Sequence, residues 1–211
     1  MMIRTASLRP ALVASLAVLA LAACNKPEPA APEAPATAPV ATAPAESPPT
    51  VDANALTAEG LGPLKIGMTL AEVVAASGAD SQPNAVGGAD PAACDEFHPA
   101  RAPEGVTVMI EQGVLTRISL IRDAAIKTDR GFGVGSQGTA IKAAYGGGVI
   151  AQPAKYDPAP AEDLFVWARG GSTSYVTDAT ARGVRYEVGT DGLVKAVRAG
   201  GPSIQLVEGC S

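Results

Sequence analysis

The stretch from Gly60 to Gly78 constrains the fold of this chain more than any other. Thr69 and Glu72 stand three residues apart, the spacing of a capping box. The hydroxyl accepts from the backbone N–H of Glu72, and the carboxylate reaches back to the N–H of Thr69. Met68 before the cap and Val73 after it have the spacing of a hydrophobic staple. Leu70, Val73, Val74 and Ser77 fall on one helical face, and Gly78 stands where a left-handed C-terminal cap is required. The spacing predicts a helix over 70–77. Leu64 and Ile66, alternating with Lys65, predict a short strand leading into it.

A weaker copy runs from Gly131 to Gly146. Setting Gly67 on Gly135 also sets Gly78 on Gly146, Val73 on Ile141 and Ala76 on Ala144. The second copy lacks the Thr/Glu box, and Ser136 is its expected N-cap. Further on, Gln112–Ile118 matches Asp191–Val197, each a turn followed by an outgoing strand. Matching order at both ends predicts a duplication.

Residues 1–23 carry Arg4 and Arg9 and then an apolar run from Ala11 to Leu21. That run is shorter than the roughly 20 apolar residues a membrane-spanning helix needs, so it reads as a secretory signal. Leu21-Ala22-Ala23-Cys24 resembles the lipobox of bacterial lipoproteins. The resemblance implies cleavage before Cys24, lipidation of that cysteine and, with Asn25 next, the outer membrane. An ordinary secretory signal with a chance cysteine is the alternative. Residues 24–50 are rich in proline and alanine, too poor in bulky apolar groups for a core, and read as a disordered tether. Extended, the 26 residues from Asn25 to Thr50 reach roughly 80 Å.

Removing residues 1–23 takes two arginines from the 16 basic residues and leaves 14 against 21 acidic, formally −7. An acidic chain with no basic patch argues against nucleic acid as a partner. With Cys24 assigned to lipid, Cys94 and Cys210 remain, and an exported chain with two such cysteines is expected to join them. A metal site is not expected, because His98 is the sole histidine and there is no CxxC pair. No cofactor-binding motif is present either.

In order, Cys94–His98, Val106–Glu111 and Leu115–Arg122 read as strands, the last two as a hairpin over Gln112-Gly113. After the second helix, strands are expected at Ala154–Tyr156, Leu164–Ala168, Val184–Val188, Leu193–Val197 and Ser203–Val207. The expected plan is α+β: two tandem repeats, 51–127 and 128–211, each a short helix (or helix pair) packed on its own small antiparallel sheet. Lys65–Val73, ending at Gly78, resembles the opening motif of small outer-membrane lipoproteins of the BamE (SmpA/OmlA) type. It is also similar to the repeat of β-lactamase inhibitory proteins. The resemblance implies a non-catalytic binding scaffold facing the periplasm.

Chemistry has little support. His98 lies near Asp95 and Glu96 but lacks a nucleophile motif, Glu162 and Asp163 are adjacent acids of unknown separation, and Gly146–Gly148 follows a helix and so is no phosphate loop. Every Trp and Tyr falls in the second half of the chain. Trp167, Tyr156 and Tyr175 are the candidate ligand-binding residues, because such rings anchor interfaces and stack on sugars; Trp167 and Tyr186 filling a core is the competing reading. The expectation is a lipid-anchored outer-membrane protein binding another envelope protein, with the cell surface as an alternative to the periplasm. The alternative function is carbohydrate binding to an envelope polysaccharide, and a hydrolase ranks below both.

Overall fold

The computed structural model describes residues 52–85 and 87–210. Residues 1–23, read above as a secretory signal, Cys24 and the proline-rich stretch lie outside the described residues. Three two-residue strands come first among the described residues: β1 (Leu56–Thr57), β2 (Gly60–Leu61) and β3 (Leu64–Lys65), joined as a small antiparallel sheet. Helix α1 (Leu70–Ser77) follows, with both arms of the capping box formed: Glu72 N–H donates to the Thr69 hydroxyl, and Thr69 N–H to the Glu72 carboxylate at 2.8 Å. Gly78 ends the helix at φ +89° but with ψ 162°, so the chain leaves extended and the expected left-handed cap does not form. Arg101 instead satisfies the helix end, donating to the carbonyls of Val74 and Ala75.

The remaining strands are β4 (Cys94–Phe97), β5 (Val106–Glu111), β6 (Val114–Ile121), β7 (Val149–Pro153), β8 (Glu162–Arg169), β9 (Arg182–Val188) and β10 (Val194–Gly200). Helix α2 (Gly138–Tyr145) precedes β7. All seven strands form one antiparallel sheet in the order β4-β5-β6-β10-β9-β8-β7. This overturns the plan of two helix-on-sheet repeats: the described residues are mostly β, and the two eight-residue helices among them share one sheet. The physical reason lies at the β6–β10 seam. Leu120 pairs with Val197 and Ile118 with Ala199, all fully buried. Two separate small sheets would each leave an open edge and a thin core, whereas pairing the outgoing strands removes two edges and merges the apolar faces.

The local echo between the halves has a backbone counterpart. Gly67 N–H donates to Leu115 O, Leu115 N–H to Met68 O and Leu70 N–H to Gly113 O. The same three bonds recur from Gly135 to Val194, Val194 to Ser136 and Gly138 to Gly192. Each helix entrance is therefore docked on the strand start of its own hairpin. Val73 of α1 and Ile141 of α2 both reach the apolar face of the common sheet. Leu70, expected on the packed face, is 42 % exposed, because Val73 and Ser77 take the buried positions. The second helix is capped at Gln137 with no side-chain bond; Ser136, the expected cap, accepts from Gly133 N–H instead.

Two expected strands are not strands. Residues 154–156 form a bend after β7, which ends at Pro153. Residues 203–207 form a 3₁₀ turn over Pro202–Gln205 and then a strap across the face of the sheet away from the helices. Pro202 favours the helical start, and the strap's carbonyls are taken by arginine side chains in place of a strand partner. Cys210 then closes the disulfide to Cys94. At the sheet edges, Glu96 N–H of β4 donates to Gly87 O of a covering loop, and β7 is short and proline-ended.

Candidate site on the strap face

Strand alternation sends Val184, Tyr186 and Val188 to the helix side and Arg185 and Glu187 to the strap side. The same rule places Asp163, Phe165 and Trp167 of β8, Arg198 of β10 and Arg117 of β6 beneath or beside the strap. Arg117 is wholly buried; it donates to Glu96 at 2.5 Å and to the carbonyls of Ser203 and Leu206 at 3.0 Å. Arg185, 2 % exposed, donates to Ile204 O at 3.1 Å and to Asp163 at 2.9 Å, with Glu187 3.4 Å away. Glu187 also accepts from Arg198 at 2.5 Å. The strap is thus held through its backbone by two buried guanidiniums, and Ile204 is fully buried under it.

Burial leaves its mark on these charges. It is the main reason the Arg117 guanidinium is pulled down from its ordinary value, with Arg198 adding to it and Glu96 opposing. It pushes the Asp163 carboxyl up, against the pull of Arg185. Burial also raises Glu187, but Arg198, Arg185 and Arg117 together outweigh it and the net direction is down. The Nε atoms of Arg117 and Arg185 make no hydrogen bond. The Arg185 guanidinium lies 5.6 Å from the Phe165 ring centroid, so the π face offsets part of its burial.

Between the strap and β7–β8 lies a crevice of about 290 Å³, floored by Asp163 and Arg185 and walled by Phe165, Trp167, Tyr175 and Gln205. The Phe165 and Trp167 planes lie within 8° of parallel, with centroids 6.4 Å apart. Two glycines make room for the indole. A Cβ on Gly171 would come within 2.1 Å of Trp167 Cγ, and one on Gly183 within 2.8 Å of Trp167 Cε3 and 3.2 Å of Ile204 Cδ1. Tyr175 stands 65 % exposed at the mouth. A smaller adjoining crevice shares Lys155, Asp163, Arg185 and Val207, and Tyr156 lines it.

The structure therefore sets Trp167 and Tyr175 in one crevice and Tyr156 in its neighbour. Tyr156 is also 65 % exposed, but Lys155 Nζ sits 4.9 Å from its ring centroid and occupies one face. Tyr186 is a core residue on the opposite side of the sheet, hydrogen-bonded to Thr128 and Tyr145. The residues sequence reasoning missed are Asp163 as crevice floor, Arg185 beneath it and Gln152 beside it. The period-two pattern of β8 and β9 carried that signal, but only the register unites it.

Groups weighed for chemistry are otherwise engaged. His98 Nδ1 faces Val106 O at 2.6 Å, which makes Nδ1 the protonated nitrogen. Glu162 and Asp163 are consecutive on β8 and point to opposite faces, Glu162 pairing with Lys142 at 2.6 Å. Among the described residues no group of three His, Cys, Asp or Glu side chains could hold a metal. A larger groove of about 410 Å³ lies beside Ile66, Val114 and Pro202. Its one carboxylate, Glu111, accepts from the hydroxyls of Thr116 and Ser203, and no aromatic ring lines the groove.

Fold and site together define an antiparallel β-sheet protein with a strap-walled crevice on its polar face. No family model, curated protein or solved structure matches this chain.

Proposed function

We propose that this chain is a non-catalytic binding protein of the bacterial envelope, lipid-anchored at Cys24 in the outer membrane, and that its strap-face crevice takes a carbohydrate. The observation that carries the reading is the grouping of Trp167 and Tyr175 with the Asp163 carboxylate in one crevice. Sugar recognition needs an aromatic surface for the C–H face of the ring and fixed polar groups for its hydroxyls. The Cys94–Cys210 bridge supports an oxidising compartment, and the motif resemblance to BamE-type lipoproteins supports a scaffold role. Retention on immobilised glycans should fall in Trp167→Ala and in Tyr175→Ala with thermal stability kept. Full retention in both variants refutes the carbohydrate reading.

A second reading, an envelope protein as partner, is favoured by the 65 % exposure of both Tyr156 and Tyr175, since such rings anchor protein interfaces. It predicts stoichiometric capture of one protein from detergent-solubilised envelopes, lost in Tyr156→Ala. The anchor has its own test: Cys24→Ser should move the protein from the membrane to the soluble fraction.

A further inference from the structure

Resting on the carbohydrate reading, the geometry points to an uncharged sugar as the ligand class, recognised through a pair of adjacent hydroxyls by Asp163 and Gln152. The first support is the charge census of the two adjoining crevices. Their cations are Lys155, Arg185 and Lys195, and their carboxylates Asp157, Asp163 and Glu187. Each already has a partner: Lys195 holds Asp157, Arg185 holds Asp163 and Glu187, and Lys155 reaches Glu208 at 2.9 Å. On the floor, where the Arg185 pairs with Asp163 and Glu187 are buried, a uronate, a phosphate or an amino sugar would be desolvated with no counter-charge unless it broke a pair already made, whereas the two lysine pairs stand about half exposed at the rim.

The second support is the pairing of acceptor and amide. Arg185 takes only Oδ2 of Asp163, so Oδ1 stays available on the crevice floor. Gln152 is the cross-strand neighbour of Asp163 on the edge strand, on the same face and exposed. A carboxylate oxygen that only accepts, beside an amide that both donates and accepts, matches two neighbouring ring hydroxyls. Trp167 and Phe165, further along β8 on the same face, provide the apolar wall for the ring carbons. Arg185 is a positioning residue here, because its buried Nε touches no open space and its role is to fix the carboxylate.

The test is a heteronuclear NMR titration of the full chain with neutral methyl pyranosides, with the matching uronic acids and with amino sugars. Neutral glycosides should shift Asp163, Gln152 and Trp167 signals and bind at least tenfold tighter than either charged series. Asp163→Asn should weaken neutral binding roughly tenfold or more, as loss of a hydrogen bond to a charged acceptor does. Gln152→Ala, a surface change with little bearing on folding, should weaken it several-fold. Charged sugars binding as tightly as neutral ones, with Trp167 still required, overturn the inference and leave the carbohydrate reading standing. Neutral binding that ignores both variants overturns the inference as well. Binding of no sugar in any series overturns both.

Discussion

Replacing both Cys94 and Cys210 by serine tests what the bridge does for this fold. The bridge joins positions 116 residues apart in sequence. Chain-entropy reasoning for a loop of that length gives about 4.8 kcal/mol, an upper figure because denatured chains keep some structure. For a domain of this size such a loss lowers the melting temperature by about 10–20 °C. The native strap should stay in place. Its bonds from Arg117 and Arg185 remain without the bridge, and burial of Ile204 adds about 2–3 kcal/mol. Trp167, the sole tryptophan, lies beside Ile204 across Gly183 and reports on the strap through its fluorescence. In a urea titration the variant should show unchanged native emission, a lower midpoint and an equal or slightly larger slope. A loss below about 1 kcal/mol would refute the unfolded-state account. A red-shifted emission before the transition would refute the claim that side chains, and not the bridge, hold the strap down.

Four further outcomes follow from the same contacts. Thr69→Ala removes the arm of the capping box from the Glu72 N–H to the hydroxyl and should cost about 1 kcal/mol in denaturant titrations, while the Glu72 carboxylate keeps the Thr69 backbone N–H. Arg117→Ala removes the donor to two strap carbonyls, those of Ser203 and Leu206, and leaves Glu96 without its arginine; about 3 kcal/mol is expected, read as a fall in melting temperature. Gly171→Ala meets the indole at 2.1 Å and should displace Trp167, seen as shifted emission with only a modest loss of stability. In a carboxyl NMR titration Glu187 should titrate below its ordinary 4.5 and Asp163 above its ordinary 3.8. The stability contributed by Glu187 is present above its unfolded value and lost as pH falls through its lowered folded value. The contribution of Asp163 has the opposite sign: the native state takes up its proton first, so its share grows as pH falls through the raised value.

Some local features were readable from sequence and some were not: the left-handed cap at Gly78 and the N-cap at Ser136 did not form. The helix at 70–77 and the bond pattern at Thr69 follow from spacing alone, and Val184–Val188 alternates as its two faces require. The pairing of Cys94 with Cys210 was accessible by counting, because few alternatives existed. What escaped was the meeting of Ile118 and Leu120 with Ala199 and Val197. Those strands look alike whether they close two sheets or one, and register is a long-range choice. The last segment escaped for a related reason. Ile204, Leu206 and Val207 carry an apolar pattern fit for a strand, yet Arg117 and Arg185, distant in sequence, claim its carbonyls. The crevice was half visible: its aromatic members stood out by composition, whereas Asp163 and Gln152 became partners only through the pairing of β7 with β8.

The blunted margins of the sheet bear on how copies of this protein can live side by side. A fatty anchor would concentrate many copies on one surface, where an open strand invites its twin to zip on and grow into fibrils. Here one margin is already occupied by the Gly87 carbonyl, and the other is five residues long and stops at a residue with no amide hydrogen to give. Crowding should therefore leave the population dispersed, each copy presenting its strap face independently.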